Sequence, residues 1–166
     1  DIYRSKGESE KAITHYEALV PRFREILTAE HPDYSLLLFA LAGANYDLKQ
    51  YGKSLPLLKE AYALNKKIYG PSHGFTFAPA SGVAVCLRKL DRIQEAVEFG
   101  EEIVQAHINS PRLGLNSPDT LQEVEAQISL LKHLQSRAPS PQHLTSIERY
   151  ENLKRVIITN LEESSN

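Results

Sequence analysis

The stretch "NYDLKQYGKSLPLLKEAY" (Asn45–Tyr62) aligns without a gap on "YRSKGESEKAITHYEALV" (Tyr3–Val20) and on "LRKLDRIQEAVEFGEEIV" (Leu87–Val104). In this register the small residues Ala12, Ser54 and Ala96 stand 42 residues apart each time. The same offset pairs Leu41 with Val83, Ala42 with Ala84, and Leu19 with Ala61 and Ile103. A constant period carried by small and apolar slots marks a repeat architecture, in which each unit buries its apolar face against its neighbour.

Within one unit the apolar residues fall on helical steps. Leu38, Leu41, Ala42 and Asn45 share one face, and Tyr51, Ser54, Leu55, Leu58, Ala61 and Tyr62 share another. Two antiparallel helices joined by a tight turn follow. The joint between units is "YGPSHGFT" (Tyr69–Thr76), with counterparts "TAEHPDYS" (Thr28–Ser35) and "LGLNSPDT" (Leu113–Thr120); the last is displaced by two residues through an insertion in "HINSPR" (His107–Arg112). Gly70 and Gly114 suit the positive φ that ends a helix, and Pro71 cannot continue one. Asp33, Thr76 and Thr120 are expected to cap or open the next helix. His31 and His73 hold one repeat slot and read as turn residues rather than metal ligands.

The helix pair, the 42-residue period and the G-P-x-H-P-D-T-like joint together resemble the tetratricopeptide repeat in its longer, kinesin-light-chain-like form, over roughly residues 1–135. The resemblance implies an all-α fold, a right-handed superhelical solenoid of antiparallel helix pairs. The units are expected at about 1–28, 33–69 and 75–110, with a degenerate one at 117–135. A Pro/Ser-rich break at 136–142 and a C-terminal capping helix at 143–163, apolar at Leu144, Ile147, Tyr150, Leu153, Ile157 and Leu161, complete the chain. Gly100 stands where the other units have Tyr16 and Leu58, so a hole or a close helix contact is expected there.

In that family the first helices of successive units line a concave groove. Carried over by repeat slot, the groove would show Arg4 and Ser5, then Phe39, Ala40, Gly43, Tyr46 and Asp47, then Ser81, Gly82, Val85, Arg88 and Lys89. Such a surface suits a protein or peptide partner with an apolar anchor and an acidic flank. Kinesin-light-chain repeats commonly carry paired asparagines where this chain has Phe39–Ala40 and Ser81–Gly82, so their peptide specificity does not carry over. Asn45 sits in a packing slot, and the carboxylate clamp of a related branch is not expected. The function implied is a non-catalytic scaffold or adaptor that binds a partner in the concave groove. The alternative is a regulatory or sensor arm that packs on a nucleotide-switch or catalytic domain of a longer chain.

Composition agrees with a binding module. The 166 residues are 42% hydrophobic and 24% charged, with net charge -2 and pI near 6.3, which gives no basic footprint for nucleic acid. The longest apolar run, "SLLLFALAGA" (Ser35–Ala44), is too short to span a membrane. No phosphate loop, paired-cysteine or nucleophile motif is present, so no enzyme activity, cofactor or metal is expected. The single cysteine, Cys86, lies on an apolar helix face and reads as a small buried hydrophobe in a reducing, cytoplasmic setting. The opening "DIYRSKGES" and the lack of any methionine read as a segment of a longer protein.

Overall fold

The computed structural model describes residues 8–26 and 31–165. Among the described residues it contains seven α-helices: α1 (Ser9–Ile26), α2 (Pro32–Asp47), α3 (Tyr51–Tyr69), α4 (Gly74–Lys89), α5 (Ile93–Ile108), α6 (Pro118–Arg137) and α7 (Pro141–Glu163), with one 3₁₀ turn at Gly114–Asn116. The fold is all-α. Two compact units divide between Asp91 and Arg92.

In the first unit α1, α2, α3 and α4 pack in succession. Close approach is possible because the repeated small slot carries almost no bulk: Ala12 and Ser54 are both 0% exposed. Ser54 also satisfies its own polarity, donating its hydroxyl to the Ala42 carbonyl at 2.8 Å and accepting from the Cys86 thiol at 3.6 Å. Cys86 is buried, and that burial pushes its thiol up, away from the reactive thiolate. Tyr34, Leu38 and Ala61 form one cluster of the core, with Val20, Phe23, Phe39, Leu57 and Leu64 packed around them. At its edge Arg24 donates to the Tyr34 hydroxyl at 2.6 Å, which donates to Glu60 at 2.9 Å, tying α1 to α2 and α3.

Joints and turns repeat with the sequence. The turn after α2 is a Schellman motif: Gln50 N–H donates to the Asn45 carbonyl at 2.9 Å and Lys49 N–H to Tyr46 at 2.8 Å. Lys49 and Asp91, one repeat apart, both take positive φ, at 59° and 56°. The sequence expectation allowed Asp33, Thr76 and Thr120 either to cap the next helix or to open it, and they open it. His31 Nδ1 accepts from Asp33 N–H and His73 Nδ1 from Phe75 N–H, both at 3.2 Å, and Ser117 Oγ accepts from Asp119 N–H at 3.2 Å. The cap is therefore the residue before the first helical turn, and Asp33, Thr76 and Thr120 lie inside it. Gly70 ends α3 at φ 88°, whereas Gly114, at φ 60°, lies beyond the Asn109 that closes α5.

In the second unit α5 packs on α6 and α6 on α7. At 20 residues α6 is longer than the 16-residue α2 and α4, so its turn comes about one helical turn late and the next 42-residue slot, Ala138, falls on the cap of α6 and not inside the following helix. Tyr150 and Ile157 are the buried positions of α7, and Lys132–Glu151 (2.7 Å), Lys154–Glu125 (2.6 Å) and Arg149–Glu101 pair around it. Gly100 makes the close contact, not a hole. Gln127 is buried there, its amide donates to the Val97 carbonyl at 2.8 Å, and a Cβ on Gly100 would lie 2.2 Å from its Oε1.

Two stability measurements check this packing. Gly100→Ala gains about 1 kcal/mol of helix propensity but displaces a buried, hydrogen-bonded amide at a cost of about 1–3 kcal/mol. It is expected to destabilise the chain in urea denaturation and, in a Gln127→Ala background, to stabilise it; equal effects in both backgrounds would refute the contact. His107 is buried, and burial holds its imidazole below the ordinary range, opposed by Asp119 and reinforced by Arg112. The unfolded chain then binds a proton that the folded chain refuses, so stability is full above about pH 6.5 and falls as pH drops below it. His107→Leu should show a smaller loss of the urea midpoint between pH 7.5 and 5.5 than the parent.

Candidate functional site

The first unit carries a groove with α2 and α4 as walls and α3 as floor. Its wider end is a cleft of about 320 Å³ lined by Pro32, Asp33, Ser35, Leu36 and Phe39 of α2, Asn65 and Tyr69 of α3, and Phe75, Ala78 and Pro79 of α4. Its narrower end, about 220 Å³, lies between Phe39, Gly43 and Tyr46 on one wall and Ala78, Gly82 and Val85 on the other, over Ser54 and Leu58. Phe39 and Ala78 line both, so the two ends adjoin between the same pair of helices.

Physical constraints fix its shape. Gly82 rests on Leu58: a Cβ there would lie 2.8 Å from Leu58 Cδ2, so any larger residue would push into the floor. At the wide end Pro79 has no N–H to offer the carbonyl four residues back, and the Phe75 carbonyl would be left without its helical donor. Asn65 Nδ2 supplies the missing hydrogen bond at 2.7 Å, pinning the end of α3 to the first turn of α4. Phe75 is thus held at both backbone groups by side chains, His73 at the N–H and Asn65 at the carbonyl. The rings of Tyr69, His73 and Phe75 lie against one another at centroid distances of 4.9 to 5.3 Å.

Of the residues expected in the groove, Phe39, Gly43, Tyr46, Gly82 and Val85 line it. Asp47, Ser81, Arg88 and Lys89 are exposed on the same two helices but outside the lining, and Ala40 is half-buried. Arg4 and Ser5 lie outside the described residues. The wide end was missed, although the signal was present. The steps Leu36, Phe39, Gly43, Tyr46 and Phe75, Ala78, Gly82, Val85 are each an i, i+3, i+7, i+10 stripe, and Leu36 and Ala78 are one repeat apart.

The tetratricopeptide repeat profile matches residues 1–67 and 36–107. The chain belongs to the tetratricopeptide repeat family. Its helix pairs are of the kind seen in the crystal structure of the nearly identical TPR-like repeats of a kinesin-light-chain-type protein from Podosopora anserina (TM-score 0.62, 18% identity, covering 98% of this chain and 92% of that one). A point-substituted variant of the same protein gives a TM-score of 0.63 at 19% identity, covering 99% and 92%. At these identities the likeness is one of fold. No curated protein matches the chain. Tetratricopeptide repeats serve in general as protein-interaction scaffolds. Among the described residues no three His, Cys, Asp or Glu side chains gather as metal ligands, and no helix is long and apolar enough to cross a membrane.

Leu36 and Phe75 face each other across the cleft while 66% and 63% exposed. Side chains that the core does not use should be cheap to remove. Leu36→Ser and Phe75→Ser are each expected to change the unfolding free energy by less than about 0.5 kcal/mol, against about 2–5 kcal/mol for Leu38→Ala in the core. A large loss from either serine variant in urea denaturation would make these residues part of the core rather than of the groove surface.

Proposed function

We propose that this chain is a non-catalytic scaffold that binds a peptide segment of a partner protein along the groove between α2 and α4. The observation that carries this reading is the pair of adjoining cavities between α2 and α4, with exposed apolar side chains presented at one end. From Pro32 to Tyr46 the wall runs roughly 20 Å along the helix, enough for about six residues of extended peptide. Apolar anchors would seat between Leu36 and Phe75 or between Tyr46 and Val85. Arg88 and Lys89, in the last turn of α4, would meet an acidic flank. The lone Cys86 thiol is in keeping with a cytoplasmic setting.

A second reading draws on α7, where Leu144 and Val156 remain 56% and 49% exposed. Apolar side chains left open on a terminal helix would serve an arm that packs on a nucleotide-switch or catalytic domain of a longer polypeptide.

Selection from a displayed peptide library, followed by fluorescence polarisation, distinguishes the two. The groove reading expects selected peptides with an apolar anchor beside acidic residues. Tyr46→Ala should weaken them about tenfold, a cost usual for a buried aromatic hot spot. Arg88→Glu with Lys89→Glu should weaken them by a similar factor, more so at low salt. Peptides that bind parent and variants equally, or lose binding only with Leu144→Ser and Val156→Ser, would overturn it.

A further inference from the structure

The two walls of the groove begin in the same way. Helix α2 starts on His31 and α4 on His73, one repeat apart, and in each the Nδ1 lone pair accepts the backbone N–H two residues on, at 3.2 Å. The two N–H groups belong to Asp33 and Phe75, and both residues line the wide end of the groove, one on each wall. The helices outside the groove use a different acceptor in this position: Ser117 Oγ for α6 and Ser140 Oγ for α7, each at 3.2 Å. The helices α3 and α5 have no side-chain cap bond. Among these helix starts, only the two groove walls depend on an imidazole.

A neutral imidazole accepts at Nδ1 only as the tautomer that carries its proton on Nε2. Protonation removes that lone pair, sets an N–H against an N–H, and places a positive charge at the positive end of the helix dipole. Imidazole is the side chain that changes charge between pH 5 and 8. Resting on the groove reading above, we propose that His31 and His73 are paired proton-sensitive clasps, and that acidification releases the wide end of the groove and weakens peptide binding there.

The two clasps differ in what surrounds them. Asp33 Oδ2 lies 3.8 Å from His31 Nδ1, so a charged His31 meets a carboxylate that offsets part of the loss. On the helices packed against α2, Arg24 of α1 and Glu60 of α3 are engaged with Tyr34 and with each other. The first turn of α4 has no acidic residue, and the last turn of α3 already carries Lys66 and Lys67 at the same joint. Around His73 the Tyr69 and Phe75 rings favour a cation but provide no acceptor for the freed N–H. His73 is therefore the dominant clasp, and Phe75, whose carbonyl stays pinned by Asn65, is the residue whose position changes.

The test compares the parent with His31→Asn and His73→Asn, since asparagine retains a cap acceptor but does not titrate. Two readouts are taken between pH 7.5 and 5.5: the backbone amide signals and exchange rates of Asp33 and Phe75 by ¹⁵N NMR, and the affinity of a histidine-free peptide selected on the groove at pH 7.5. In the parent the Phe75 amide should shift, and its protection factor, the exchange rate corrected for the intrinsic slowing of base-catalysed exchange at lower pH, should fall roughly fivefold at pH 5.5, the factor carried by a lost cap of this kind. Affinity should fall by a similar factor. His73→Asn should abolish most of both effects and His31→Asn a smaller part. Amides that do not respond to pH in the parent, or an affinity loss as large in His73→Asn as in the parent, would overturn the proposal. Should no peptide bind at any pH, the groove reading fails by itself, and a titrating Phe75 amide that is silenced by His73→Asn still establishes the clasp.

Discussion

Everything in the first unit depends on how closely two helices can approach at one slot. Where α3 crosses its neighbours it presents Ser54, which is completely buried, in the slot that Ala12 and Ala96 fill in the other copies, also 0% exposed. A larger side chain there would hold the helices apart and open voids that the flanking leucines could not fill. Serine is tolerated because its hydroxyl donates to the Ala42 carbonyl and accepts a hydrogen bond from the Cys86 thiol, leaving no polar atom of its own stranded. One small residue thus joins three helices. With α3 seated in this way, α2 and α4 stand on either side of it, and the groove is the space left between them.

The second unit obeys the same constraint by a different means. Gly100 replaces the larger side chains of Tyr16 and Leu58, and the vacated space is taken by a buried amide from the next helix, Gln127, bonded to the Val97 carbonyl. A glycine in mid-helix costs stability relative to alanine, and here it makes room for the buried Gln127 amide, which a Cβ at this position would displace. The ion pairs Lys132–Glu151, Lys154–Glu125 and Arg149–Glu101 join α7 to α6 and α5 around its buried Tyr150 and Ile157.

At the joints, the backbone repeats even where the residues do not. Lys49 and Asp91 both adopt positive φ one repeat apart, although lysine gains nothing locally from that conformation. The Schellman bonds around Lys49 close the end of α2, and that closure offsets the strain. Proline acts in the opposite sense at Pro79, where it frees the Phe75 carbonyl for Asn65 and so fastens the end of α3 to the beginning of α4. Polar side chains that would read as ordinary surface residues in a sequence are the fasteners of the groove's wide end.

The sequence by itself determined the repeat period, the helix pairing, the burial of Ala12, Ser54 and Cys86, and the narrow half of the groove at Phe39, Gly43, Tyr46, Gly82 and Val85. These follow from spacing along a helix, a local property that a single chain displays directly. Tertiary structure decided what depends on partners distant in sequence. Gln127 fills the space at Gly100 from 27 positions away, and Asn65 serves a carbonyl released by Pro79. Leu36 and Phe75 line opposite walls of a cleft that neither helix forms alone. The caps fell between the two kinds: the repeat slot of His31 and His73 was legible, but its role was not, because an imidazole nitrogen becomes a cap only when the backbone around it presents an N–H at hydrogen-bonding distance.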